Sequence, residues 1–234
     1  IVFPGSFNPP TNAHLAMLQQ ARHFGSQHHA HAVYAAFSKR TTDKETVERP
    51  LLVDRVALLE EVLRNHLPDV GILLFNRGLY VEQAEGVRAA FPAVKTLYFL
   101  LGFDKIVQIF DPRYYSDRDT ELRELFRLAD VLVAPRAGAG AHDLHELLGK
   151  PENRPFAEHV HALALPQTFA DMSSTRIRQA FEAHWHEVPP EVREFIRETH
   201  AYEPVTREAN GQHIDRYGER MSYIEEVTRG NAGR

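Results

Sequence analysis

IVFPGSFNPPTNAHLAML, residues 1–18, passes through three kinds of local structure in quick succession. Ile1, Val2 and Phe3 are apolar and mostly β-branched, which reads as a short buried strand, and Pro4-Gly5 ends it in a tight turn. Beyond Pro9 and Pro10, Thr11 or Asn12 is placed to cap a helix, because Leu15, Leu18 and Ala21 then recur at helical spacing. The unit is strand, glycine turn, helix. Gly5 allows a main chain to come close to a ligand, Ser6 and Asn8 carry polar groups, and His14 falls in the first helical turn facing the same crevice. Taken singly, Gly5 and His14 are better explained as an ordinary turn and a surface histidine.

The alternation continues along the chain. HAVYAAF (31–37) reads as a strand, and a helix follows with Leu52, Val56, Leu59 and Leu63 on one face. VGILLF (70–75) is the next strand and VEQAEGVRAAF (81–91) the next helix; VKTLYFLLG (94–102) is a strand ending at Gly102. ELRELFRLA (121–129) is a helix running into the strand DVLVAPR (130–136), and HVHALAL (159–165) is a last strand. MSSTRIRQAF (172–181) opens a helix and PPEVREFIRETH (189–200) forms another. Parallel strands need helix-sized crossovers, so the predicted fold class is α/β, Rossmann-like, a parallel sheet with helices on both faces. One domain is expected over 1–203, with the Ala- and Gly-rich stretch 137–157 as a mobile insertion around a short helix, and 204–234 as a polar tail with one weak helix.

Composition limits the chemistry. With 234 residues, 43% hydrophobic and 25% charged, the chain reads as a globular protein, and no apolar run reaches the roughly 20 residues of a membrane-spanning helix. No secretory signal opens it, so an intracellular setting, cytoplasmic or nuclear, is expected. Ile1 rather than Met begins the sequence, and residues are expected to precede it. The absence of cysteine excludes disulfides, thiolate catalysis and a Cys-based zinc site. A net charge of −5 offers no field for a nucleic-acid polymer, although a local basic pocket would still hold a small phosphate ligand. His23, His28, His29 and His31 cluster, as do His184 and His186, but no ligand set recurs at known zinc spacing, and no bound metal is expected.

GSFNPPTNAHL is similar to the signature of the nucleotidylyltransferase superfamily, whose T/H-x-G-H motif here reads Thr11-Asn12-Ala13-His14. Its form resembles the nicotinamide and nicotinate mononucleotide adenylyltransferases of eukaryotic type. Met172-Ser173-Ser174-Thr175-Arg176-Ile177-Arg178 resembles the I-S-S-T-x-x-R motif of that family, and Leu101-Gly102-Phe103-Asp104-Lys105 resembles its G-x-D segment. Residues 130–136, ending in Arg136, and VPPEVREFIRETHAY resemble later family segments, so the likeness runs from residue 1 to about 203.

The resemblance implies transfer of the adenylyl group of ATP to a mononucleotide, with Mg²⁺ arriving on the ATP and pyrophosphate leaving. It assigns His14 to the ATP phosphates and transition state, Thr11 to phosphate or metal-bound water, and Arg178 to the outer phosphates. Ser173, Ser174 and Thr175 would line the ATP side; Gly5, Ser6 and Phe7 would approach the nucleotides. Gly102, Asp104 and Arg136 would meet the substrate, Asp104 through ribose hydroxyls, and Asp104 reads equally as the cap of the next helix. Lys39, in a run with Arg40, Lys44 and Arg49, stands either near the substrate phosphate or in a solvated basic loop. Family members usually carry a tryptophan after the third strand to stack on the pyridine ring; this chain has FNRGLYVEQAEGV there, with Tyr80 as the aromatic in its place and its single tryptophan, Trp185, far downstream. The partners implied are ATP and a mononucleotide, with a homo-oligomer open. Two other readings stay open: a related nucleotidylyltransferase or ATPase with a different acceptor, and a nucleotide-binding regulatory protein.

Overall fold

The computed structural model describes residues 1–39, 49–136, 138–207 and 213–231. In chain order, β1 (Val2–Pro4) leads into α1 (Asn12–Gln27), β2 (Val33–Ser38) into α2 (Leu52–His66), and β3 (Val70–Phe75) into α3 (Tyr80–Ala90). β4 (Tyr98–Gly102) runs directly into α4 (Phe103–Phe110), and α5 (Arg118–Leu128) into β5 (Asp130–Ala134). α6 (Ala141–Gly149), β6 (Val160–Ala162), α7 (Gln167–Ala170), α8 (Ser174–Gln179) and α9 (Pro190–Thr199) follow. The two-residue strands β7 (Thr206–Arg207) and β8 (His213–Ile214) pair antiparallel ahead of α10 (Arg216–Asn231).

β1 to β6 form one parallel sheet in the order β3-β2-β1-β4-β5-β6. From β1 the chain steps outward to β2 and β3, then returns to place β4 on the other flank of β1. Neighbouring crossovers therefore diverge between β1 and β4 and leave a crevice at the carboxyl ends of these two strands, the switch point at which open α/β sheets bind ligands.

The period of two along each strand divides the core. Val2, Phe99, Leu101, Val131 and Val133 face one layer with the buried residues of α3, α4 and α5. Ile1, Phe3, Tyr98, Leu100, Leu132 and Ala134 face the other, against α1 and α2. Two hydrophobic layers on one sheet require helices on both sides, which is the α/β architecture predicted from the alternation.

Boundaries shift where burial or proline dictates. β4 begins at Tyr98 rather than Val94, because Lys95 and Thr96 are exposed and the continuous buried run starts at Leu97. β5 ends at Ala134, just ahead of Pro135, whose ring nitrogen has no ladder donor. β6 covers three residues of the seven read as strand, since this edge strand has only β5 to pair with. Residues 138–157, read as a mobile insertion from 137, are packed onto the domain: Leu144 and Phe156 are buried, and Phe156 lies 5.6 Å from the Phe126 ring of α5. Ala137 lies outside the described residues. The C-terminal region also packs onto the domain at its start, where Tyr217 is buried at 2% exposure; α10 is exposed from Ser222 to Arg229.

Candidate active site

A cleft of ≈ 460 Å³ opens at the switch point, within the roughly 300–1,000 Å³ usual for small-molecule sites. Gly5 and Ser6 after β1, Thr11 and His14 of α1, and Gly102, Asp104, Lys105 and Gln108 around the β4–α4 junction line it. Pro135 and Arg136 after β5 close one side, and Phe169, Met172, Ser174, Thr175 and Arg178 close another. Lys105, Arg136 and Arg178 face a single carboxylate, Asp104, among these lining residues. The cleft is thus locally cationic in a chain of net charge −5, the balance that suits a polyanionic ligand.

His14 is the most constrained group in it. Thr11 is the N-cap of α1: its Oγ1 accepts the His14 main-chain N–H at 3.3 Å, while the Thr11 N–H donates to His14 Nδ1 at 2.9 Å. Thr11 Oγ1 also lies 2.9 Å from Nδ1. This is a capping box in which histidine takes the place usually held by Glu or Gln. A main-chain N–H can only donate, so Nδ1 of the neutral ring is an acceptor and the ring proton resides on Nε2. Burial, and then the positive charge of Arg136, lower the His14 pKa to about 3. The side chain therefore works as a neutral hydrogen-bond donor near pH 7. Phe7 and Phe3 hold the imidazole from beneath, with ring centroids at 5.1 and 5.8 Å.

Across the cleft, the Arg178 guanidinium donates to the Asn8 carbonyl and, at 3.2 Å, to Thr175 Oγ1. Ser174 Oγ donates to the Pro9 carbonyl at 2.9 Å. The late SST segment is thereby tied to the Asn8-Pro9 turn, and two motifs some 165 residues apart in sequence share one wall. Asp104 sits in the first turn of α4, whose N-cap is Gly102, and approaches Arg136 Nε at 3.7 Å. A Cβ at Gly102 would lie 2.8 Å from Asp104 Oδ1 and 3.2 Å from Arg136 Cδ. Glycine therefore makes room for this pair at the cleft rim.

Other sequence-predicted residues lie elsewhere. Phe7, with φ 43°, turns its ring into the core at 1% exposure, and a Cβ on Gly5 would touch that ring at 3.0 Å. Its side chain is the floor of the site rather than a ligand contact. Lys39 follows β2, one strand outward from the switch point, and is exposed away from the cleft lining; Arg40 and Lys44 lie outside the described residues. Tyr80 opens α3 and packs its ring on Phe99 at 5.4 Å, outside the cleft lining. Ser173 is the N-cap of α8 without lining the cleft. Trp185 packs against Phe181 at 4.8 Å under the Arg197 guanidinium.

Two residues support the site from behind: Asn8, whose polar group the sequence offered to the ligand and the structure turns inward, and Arg55, which sequence reasoning missed. Asn8, 3% exposed, accepts from Tyr202 Oη at 2.7 Å through Oδ1 and donates from Nδ2 to the Arg49 carbonyl at 3.1 Å. Arg55, 8% exposed, donates to the Ser6 carbonyl at 2.9 Å. Its signal was present: three residues after Leu52 and four before Leu59, it puts a cation on the apolar face of α2.

Among the described residues no three His, Asp or Glu side chains converge as a metal cage. No helix among them is long and apolar enough to cross a membrane. The sequence model of the cytidylyltransferase-like family matches residues 2–180, and the chain belongs to that family. No curated protein matches it. The match takes in β1 to α8 and every cleft residue named above, and it supports nucleotidyl transfer as the general activity.

Proposed function

We propose that this member of the cytidylyltransferase-like family transfers the adenylyl group of ATP to nicotinamide or nicotinate mononucleotide, giving NAD or its acid form and pyrophosphate. The observation that carries the reading is His14, held neutral with its Nε2–H available to a cationic cleft that it shares with Arg178. An oxygen of the mononucleotide phosphate attacks the α-phosphorus of ATP. The bond from that phosphorus to the bridging oxygen breaks, and the electron pair leaves on pyrophosphate. Such a displacement requires positioning and neutralisation of charge rather than an enzyme nucleophile.

In this reading His14 donates from Nε2 to phosphoryl oxygens as negative charge redistributes, and Arg178 holds the outer phosphates with two parallel N–H donors. The first turn of α1 adds main-chain donors and the positive end of a helix dipole. Asp104 takes ribose hydroxyls from the first turn of α4. Mg²⁺ belongs to the nucleotide substrate: a cleft with one carboxylate suits an ion that keeps its waters and rides on phosphates. ATP as the donor is supported by the likeness of GSFNPPTNAHL and MSSTRIR to the adenylyltransferase motifs.

One observation favours a second reading. With its ring packed on Phe99, Tyr80, the aromatic expected to stack on a pyridine ring, does not line the cleft. This favours the same transfer chemistry with a phosphate acceptor that carries no pyridine ring. Purified protein incubated with ATP, Mg²⁺ and each pyridine mononucleotide decides between them. Dinucleotide and pyrophosphate in equal amounts support the first reading. Absence of dinucleotide from both, with pyrophosphate released only when another phosphomonoester is supplied, moves the assignment to the second.

A further inference from the structure

The C-terminal region lies beyond the family match, yet its first helical turn is among the most densely hydrogen-bonded places outside the cleft. Asp215 takes both ends of the Arg49 guanidinium, one of them at 2.5 Å, and the same guanidinium carbon stands 5.5 Å from the Tyr217 ring centre. Tyr217 Oη accepts the Leu51 N–H at 2.8 Å and donates to Asp54 Oδ2 at 2.6 Å, where Arg220 also binds at 3.2 Å. The turn therefore clamps residues 49–54, the entry to α2, across 166 positions of sequence.

That clamped segment is itself the support of the cleft. The Arg49 carbonyl accepts from Asn8 Nδ2 at 3.1 Å, and the Pro50 carbonyl accepts from Arg55 Nε at 3.2 Å. Arg55 goes on to fix the Ser6 carbonyl, and the Asn8 carbonyl is the anchor of Arg178. With Oδ1 held by the Tyr202 hydroxyl, both polar atoms of the Asn8 side chain are committed, and the links through Arg49, Pro50, Ser6 and Asn8 are main-chain carbonyls.

We propose that Tyr217 and Asp215 are positioning residues of the nucleotide site, acting through Arg49 and Asn8 on the placement of Arg178. The proposal rests on the reading of the cleft as a nucleotide site. Removing the Tyr217 hydroxyl leaves the ring in its buried place and releases Leu51 and Asp54, so the Asn8 turn loses a fixed reference. Coupling carried by such a packed, hydrogen-bonded chain is about 2- to 30-fold in affinity.

The test is MgATP binding by calorimetry, well below the melting temperature, on wild type, Tyr217→Phe, Arg178→Lys and the double variant. The expected result is a fall in affinity of about 2- to 30-fold for Tyr217→Phe, most of which disappears in the Arg178→Lys background, because the route through Arg49 and Asn8 ends at that guanidinium. In turnover, KM for the nucleotide should rise while KM for the acceptor stays as in wild type. Asp215→Asn, a partly exposed change, reads the same link if Tyr217→Phe does not fold. Unchanged MgATP affinity in both variants, or a loss that simply adds to that of Arg178→Lys, overturns the brace. Wild-type protein that does not bind MgATP overturns the nucleotide reading of the cleft, and the proposal with it.

Discussion

Thr11→Val separates two roles that the sequence cannot distinguish. Valine keeps the shape of threonine and removes the hydroxyl that caps α1 by accepting the His14 N–H at 3.3 Å and that lies 2.9 Å from Nδ1. Loss of an N-cap costs about 0.5–2 kcal/mol. At about 2–4 °C per kcal/mol for a chain of this size, a central value near 1 kcal/mol lowers Tm by a few degrees. The Thr11 main-chain N–H still donates to Nδ1, so the ring keeps its proton on Nε2 and loses only one of two supports. One neutral hydrogen bond is worth about 0.5–1.5 kcal/mol, which sets the expected loss of kcat at roughly 2- to 10-fold. Thermal unfolding followed by circular dichroism and steady-state pyrophosphate release measure the two quantities. A loss of kcat as deep as that of a His14 deletion would show that the hydroxyl meets the reacting phosphates itself and would refute the supporting role. An unchanged Tm would refute the capping contribution.

His14→Ala should lower kcat by at least about 10²-fold with the fold retained by circular dichroism, the scale for a donor to transition-state charge; near-normal turnover would remove His14 from the chemistry. In the ligand-free protein His14 should stay neutral from pH 8 to pH 5 by NMR of the imidazole nitrogens, and a midpoint near the ordinary 6.5 would contradict its depressed pKa. The sign for stability follows: the unfolded chain takes up this proton first, so the His14 contribution is fully present above pH 6.5 and declines as pH falls toward 3. Gly102→Ala brings a methyl within 2.8 Å of Asp104 Oδ1 and 3.2 Å of Arg136 Cδ, both on movable side chains. It should raise the nucleotide KM with little change in Tm, and a large drop in Tm with KM unchanged would show that Gly102 serves packing alone.

Much of the fold was legible because apolar period and length agree. Leu52, Val56, Leu59 and Leu63 can share a face only on a helix, and VGILLF is too short and too β-branched for one. α4 entered the sequence reading only as the helix Asp104 would cap; its cap is Gly102, which also ends β4, and no turn separates the two apolar runs. Within the site, Gly5, Ser6, Thr11, His14, Gly102, Asp104, Arg136, Ser174, Thr175 and Arg178 do meet in one cleft. Motif spacing reaches that far because nearly all of these residues stand at a strand end or open a helix, and Arg178 lies one turn into the helix that Ser174 opens. Tyr80 follows a strand end too, but α3 lies over the other face of the sheet and carries its ring onto Phe99. Lys39 follows β2, one strand from where the crossovers diverge. The brace from Tyr217 to Leu51 was beyond sequence reading for a different reason: tertiary hydrogen bonds across 166 residues leave no local period.

The most direct test of nucleotidyl transfer is the fate of label from ATP carrying ³²P at the α-phosphate, with cytidine triphosphate labelled likewise as the comparison donor. With Mg²⁺ and a pyridine mononucleotide, label from ATP should move into the dinucleotide in step with pyrophosphate release, and His14→Ala should abolish the movement. Label that remains in the triphosphate with every acceptor, or that appears as adenosine monophosphate at the same rate without one, would contradict the account.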